Sequence, residues 1–219
     1  SYDMEDVLDN FGSSHLNKIA IDNSGTKWIA SYLDGVIAFN ENTNIFKKIT
    51  EGAEVGNLPS KDVRAIAIDN RNQVWIGTNK GLRVLPSTSS YNGTTQMRAN
   101  AIIILEDDLA QELLYEQFIT DIAVNGSNEK WIGTADSGVF LFSPNGPETI
   151  YHFTKDNSPL PSDVVNDIEI NAETGEVFFA TDKGLVSFQG TATKPADDLK
   201  DVYVYPNPVR PEFVGTVKI

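Results

Sequence analysis

His15 and His152 are the two histidines of this 219-residue chain, and they lie far apart in it. General acid–base or metal chemistry near neutral pH asks a histidine to have a titratable partner. Neither imidazole has a second histidine or a cysteine close in sequence, and His152 in "TIYHFT" reads as an outer-strand residue. Glu106, Asp107 and Asp108 follow the apolar run "AIIIL". A glycosidase pair needs two carboxyl groups facing each other across a cleft, whereas three in succession after a strand read as a solvated turn. "DNSGT" at 22–26 and "NENTN" at 40–44 supply oxygen ligands without the spaced acids and closing Glu of a calcium loop. The chain has no cysteine, which removes disulfides, thiolate zinc sites and cysteine nucleophiles together. Asn92-Gly93-Thr94 is a glycosylation sequon by letters only, and phosphate-cradling glycine loops are absent. The residues therefore predict no catalytic, cofactor-binding or metal-binding set, no cofactor and no enzyme. Partner-binding residues stay unassigned.

What would position a functional surface is a repeat. Four segments align: "KIAIDNSGTKWIASYLDGVIAF" from Lys18, "AIAIDNRNQVWIGTNKGLRVL" from Ala65, "DIAVNGSNEKWIGTADSGVFLF" from Asp121 and "DIEINAETGEVFFATDKGLVSF" from Asp167. Their shared aromatic falls at Trp28, Trp75, Trp131 and Phe178, at separations of 47, 56 and 47 residues. A period of that size with several strands per unit is the signature of β-propeller blades. The first two strands of each unit are apolar with little alternation, as strands covered on both faces must be. Asx- and glycine-rich turns separate them. Gly35, Gly81, Gly138 and Gly184 stand where the next hairpin needs a left-handed residue. The aromatic is expected to be buried between blades. "LPSKDV" (Leu58 to Val63) and "LPSDVV" (Leu160 to Val165) mark re-entry to the hub. Arg98 to Phe118 form an insertion, read as an elaborated loop or strand pair, with a short helical turn in "DDLAQELLYEQ" as the alternative.

The expected fold is all-β, with about four four-stranded propeller repeats. Four units leave three possibilities: a closed ring, an arc completed by a second copy, or an arc whose other blades lie outside this sequence. Residues 1–15 read as the tail of a preceding blade, which favours an arc. An arc exposes two apolar end faces and should self-associate through them. Net charge is −14, which argues against nucleic acid as a partner. No apolar run is long enough to span a membrane. Lys47, Lys48, Lys61, Arg64, Lys80 and Arg83 form the few basic clusters, and any polyanion would have to meet such a local patch. Propellers usually bind at one face of the hub, so the two "LPS" segments and the Tyr91 to Phe118 stretch are the places to look for ligand contact.

"DNRNQVWIGTNKGL" and "NGSNEKWIGTADSGV" resemble the two-component regulator propeller repeat, over about Asn17 to Phe188. The resemblance implies seven-bladed propellers, of which this chain would hold an arc. Two settings use the repeat: the periplasmic sensor of hybrid two-component kinases, and PorZ-like surface proteins of the type IX secretion system. "VYVYPNPVRPEFVGTVKI" looks like the start of a β-sandwich sorting domain, and "FFATDKGLVSFQGTAT" followed by "YPNPVRP" is similar to the junction after the last blade of PorZ-like proteins. This divides the chain into blades at 1–190, a linker or outer strand at 191–204, and a truncated sandwich start at 205–219. The resemblance implies a non-catalytic protein at the extracellular face of the outer membrane of a Bacteroidetes-type cell, with a sortase-like protein and anionic lipopolysaccharide as partners. Its alternative is a periplasmic sensor recognising glycans.

Overall fold

A computed structural model describes residues 7–9, 13, 15–106 and 108–193; the sandwich start expected at 205–219 and all but 191–193 of the expected linker lie outside them. The first blade is β1 (Leu16–Ile21), β2 (Lys27–Ser31), β3 (Gly35–Asn40) and β4 (Ile45–Ile49), paired in that order. The second is β5 (Val63–Ile68), β6 (Val74–Thr78) and β7 (Gly81–Leu85), followed by a short 3₁₀ turn over Thr88–Asn92 and a separate hairpin of β8 (Ile103–Glu106) and β9 (Leu109–Glu112). The third is β10 (Ile119–Val124), β11 (Lys130–Thr134), β12 (Val139–Phe142) and β13 (Thr149–Phe153). The fourth is β14 (Val165–Ile170), β15 (Glu176–Thr181) and β16 (Gly184–Gln189). All pairings are antiparallel meanders. The innermost strands β1, β5, β10 and β14 pack side by side in that order, as propeller blades do around a hub.

The expectation of four strands in every blade holds for the first and third. In the second blade the edge of β7 is taken at one point, where Val84 and Asn100 exchange two backbone bonds of 2.8 Å. The chain is diverted there because the 3₁₀ turn sends Tyr91 onto the first blade. Its hydroxyl donates to Ile45 O at 2.5 Å and accepts from Asn40 N at 3.2 Å. The insertion then forms the β8–β9 strand pair rather than a helical turn. In the fourth blade three strands fall among the described residues.

The tryptophans explain the stacking. Opposite Trp28, Trp75 and Trp131 the first strand carries Ala20, Ala67 and Ala123, whose small side chains leave room for the indole. Trp28 sits with Val63, Ile66 and Ile76 between the first two blades. Trp75 sits with Ile119, Ile122 and Ile132 between the second and third. Trp131 meets Val165, Ile168 and Phe179 between the third and fourth. Each buried aromatic contributes about 1.5–3 kcal/mol by area. Phe178 departs from the expected burial. Its neighbours Val177 and Phe179 face the third blade, so strand alternation turns Phe178 to the outer side, where it is half-buried. Leu185 on that side is 68% exposed, and at the other end Ile19 and Ile21 are 57% and 62% exposed. Among the described residues the blades form an arc whose two end faces carry these exposed side chains.

Candidate functional site

Each innermost strand begins with a register slip, between Leu16 and Lys18, Val63 and Ala65, Ile119 and Asp121, and Val165 and Asp167. A β-bulge leaves one residue out of the ladder and re-aims its side chain. The residues left out are Asn17, Arg64, Thr120 and Asn166. With Phe118, these four line a cavity of about 250 Å³ at the mouth of the hub. One repeat position, used four times, thus builds a single recess.

Two of these side chains also stitch adjacent blades. Asn17 Nδ2 donates to Val63 O at 2.7 Å, and Thr120 Oγ1 donates to Val165 O at 2.6 Å. Asn17 Oδ1 and the lone pairs of Thr120 Oγ1 remain as acceptors. Arg64 is the most constrained member. Its Nε and Nη2 donate to the two carboxylate oxygens of Asp62 at 2.5 and 3.0 Å. Its guanidinium lies 4.7 Å from the Tyr32 ring centre and 5.5 Å from that of Phe118. Fixed on one edge and stacked on two rings, the group presents its remaining edge with little rotamer entropy left to lose.

Beside this recess, on the same strands, Lys18 of the first blade forms an ion pair with Asp121 of the third. Asp121 Oδ2 also accepts Ile168 N of the fourth at 2.9 Å. Asp167 stands next to this pair. Asp167 is exposed on one side, and the partial burial of its carboxyl, then the Asp121 carboxylate, hold it above the usual carboxylate range.

Several residues singled out in the sequence meet here. "LPSKDV" contributes Asp62, and the insertion contributes Phe118. Leu58 and Leu160, which open the two "LPS" segments, are core residues instead. Of the basic residues, Lys61, Arg64 and Lys80 gather at one end of the second blade, where Asn79 N bonds Asp62 O at 3.1 Å; Lys61 and Lys80 are exposed. Lys48 is committed to Asp9 and Asp34 at 2.7 and 3.6 Å, Arg83 to Glu112 at 2.9 Å, and Lys47 to the Gly93 carbonyl at 2.5 Å. His152 lies in β13, stacked 3.9 Å from Phe140. His15 lends its carbonyl to Tyr32 N at 2.9 Å. Glu106 ends β8 and Asp108, at φ 62°, stands in the hairpin turn just before β9, with Asp107 outside the described residues. Among the described residues no three of His, Asp or Glu gather as a metal site. The bulge ring itself was missed by sequence reasoning. Its signal was the residue just ahead of each aligned first strand.

Comparison with known proteins agrees with this architecture. Residues 57–80 match the two component regulator propeller family model. No curated protein matches the sequence. Among solved structures, the chain is similar to PorZ of Porphyromonas gingivalis, an essential bacterial surface component of the type IX secretion system. The likeness covers 95% of this chain and 36% of that one, at 24% identity and a TM-score of 0.60. It is also similar to the extracellular domain of the putative hybrid two component system BT3049 from B. thetaiotaomicron, over 86% of this chain and 24% of that one, at 22% identity and a TM-score of 0.61. An ancestral GH74 enzyme matches over 82% and 23%, at 15% identity and a TM-score of 0.56. The chain spans about a third or less of the length of each. The fold is an arc of β-propeller blades, and the regulator-propeller model matches it over residues 57–80. Among the described residues no helix is long and apolar enough to cross a membrane.

Proposed function

We propose that the chain is a non-catalytic scaffold of a type IX secretion attachment complex, acting at the outer face of the outer membrane. In this reading it works beside a sortase-like partner and contacts anionic lipopolysaccharide at the hub mouth. Residues 205–219 belong to the same proposal as the opening of a sorting-type sandwich. The observation that carries it is the Lys61–Arg64–Lys80 rim. On a chain of net charge −14 a polyanion is repelled in general, so contact requires a local excess of cation. The excess there comes from two exposed lysines, since the Arg64 guanidinium between them is paired with Asp62, and Lys47, Lys48 and Arg83 are engaged elsewhere in the molecule. The likeness to PorZ along nearly the whole chain supports the setting.

A second reading is a periplasmic glycan-sensing propeller of a hybrid two-component kinase. The regulator-propeller match at 57–80 favours it, as do the uncharged acceptors of Asn17 and Thr120 in the recess. Titration of purified anionic lipopolysaccharide and of neutral oligosaccharides into the intact chain tests both. The scaffold reading expects salt-sensitive lipopolysaccharide binding that a Lys61→Glu/Lys80→Glu variant loses. Binding of neutral glycans alone, unaffected by that variant, supports the sensor instead.

A further inference from the structure

The seam between the third and fourth blades lacks two bonds that the other blades make. Six residues before the tryptophan stand Asp22 in the first blade and Asp69 in the second. One carboxylate oxygen of each accepts the indole N–H, at 3.0 and 3.2 Å. In the third blade that place is taken by Asn125. Its Oδ1 accepts the Ser127 and Glu129 amides at 3.1 and 2.9 Å, as each aspartate accepts two amides of its own turn. That leaves Nδ2 where the second oxygen would be. An amide nitrogen cannot accept from an indole N–H, and Nδ2 donates to Glu129 Oε2 at 2.7 Å instead. Trp131, 1% exposed, therefore has an indole N–H without an acceptor among the described residues.

A latch is also missing, three residues before the aromatic. Asn72 Oδ1 accepts Asn23 N across the first seam at 3.2 Å, and Asn128 Oδ1 accepts Asn70 N across the second at 2.8 Å. The fourth blade has Gly175 there, at φ 74°, with no side chain to reach the third. A cavity of about 150 Å³ opens at this place, and its lining includes Asn125, Glu129, Trp131, Tyr151, Gly175 and Phe188. Both walls belong to described blades, at the opposite ends of the strands from the hub recess.

These groups limit what can enter. The Trp131 N–H asks for an acceptor. Glu129 Oε1, without a partner among the described residues, asks for a donor. A hydroxyl meets both, because it donates once and accepts through two lone pairs. A cation would leave the indole unmet, an anion would face the Glu129 carboxylate, and a hydrocarbon would satisfy neither. The Tyr151 and Phe188 rings, with centres 5.5 Å apart, suit an apolar body. A cavity of this volume admits a ring about the size of benzene. We propose that this seam binds a small neutral ring alcohol. Its hydroxyl accepts from the Trp131 indole and donates to Glu129, with its apolar face against Tyr151 and Phe188. The site is separate from the hub mouth and depends on neither reading of that surface.

The indole N–H resonances of the three tryptophans read this out in the intact chain. Methyl glucopyranoside, methyl galactopyranoside, methyl mannopyranoside and p-cresol are titrated in turn, with toluene as a bare ring and tetramethylammonium as a cation. At least one ring alcohol should move the Trp131 resonance and leave the other two in place; whether a pyranoside or the cresol does so tells sugar from phenol. Asn125→Asp/Glu129→Gln reproduces the Asp69–Gln73 pair of the second blade. It should keep the melting temperature, bring the Trp131 resonance into the range of the other two and weaken binding about tenfold. Gly175→Asn supplies the missing latch at the left-handed φ that Asn72 and Asn128 adopt, 61° and 62°, and should weaken binding too. No shift with any ring alcohol overturns the inference. So does an equal shift with toluene or tetramethylammonium, or either variant binding as the wild type does.

Discussion

Asp69 ties its own turn to the neighbouring blade, from which Asn128 Nδ2 also donates to its Oδ2 at 3.4 Å. Its carboxylate accepts the Trp75 indole N–H at 3.2 Å, the Arg71 and Gln73 amides at 2.9 Å each, and the Lys130 ammonium. Burial pushes its carboxyl up, but the Gln73 amide, Lys130 and the Arg71 amide together hold it below the usual carboxylate range. A carboxylate with a lowered folded pKa stabilises above its unfolded value of about 3.9, and that contribution is lost as pH falls through the folded value. Asp69→Asn should therefore lower the melting temperature at neutral pH, with the gap to wild type closing below about pH 4. A gap constant with pH would mean that the charge is not what matters. Lys130, fully buried, has its ammonium bound by Asp69 and the Asn128 and Pro144 carbonyls at 3.0, 2.7 and 2.7 Å. Burial pulls its pKa below the ordinary lysine value despite Asp69. The Asx turns were legible from residue type, because Asp and Asn close such turns with their own side chains. The indole bond six residues on and the buried lysine were not. Both depend on the neighbouring blade removing water, which no local pattern announces.

At the scale of the element, the central strand and its glycine corner decide stability. Trp75→Ala should cost about 3–5 kcal/mol in denaturant unfolding, because both blades around that indole lose packing; a change within error would speak against blade stacking. Gly138 has φ 76°, and a Cβ there would come 2.1 Å from Phe153 O. Gly138→Ala should cost at least about 1–3 kcal/mol, read by the same unfolding curve. The strands were largely readable, since β-branched runs between turn residues with a repeated aromatic leave few alternatives. The second blade was not. Nothing local distinguishes a fourth strand from a segment that pairs only at Asn100 and spends Tyr91 on the first blade. Phe178 was read as buried because its repeat position is buried elsewhere, yet burial belongs to the neighbour and not to the position.

On the scale of the whole molecule, the hub collects what the repeats repeat. Four bulges aim Asn17, Arg64, Thr120 and Asn166 at one recess, and Lys18 reaches Asp121 from two blades away. Asp167 beside them has a raised pKa, so its sign is opposite to that of Asp69. Its favourable share is present below about pH 3.9 and is lost as pH rises through the folded value. Asp167→Asn should raise the melting temperature at neutral pH and give no gain in acid; a loss at neutral pH would show that the ionised group is wanted. Hydrogen–deuterium exchange with anionic lipopolysaccharide bound tests most directly that the hub mouth is the working surface. Protection should appear at residues 58–64, 79–81 and 117–120, around the Lys61–Arg64–Lys80 rim. Protection confined to the outer strands β4 and β13, or absent with lipopolysaccharide demonstrably bound, would contradict the account.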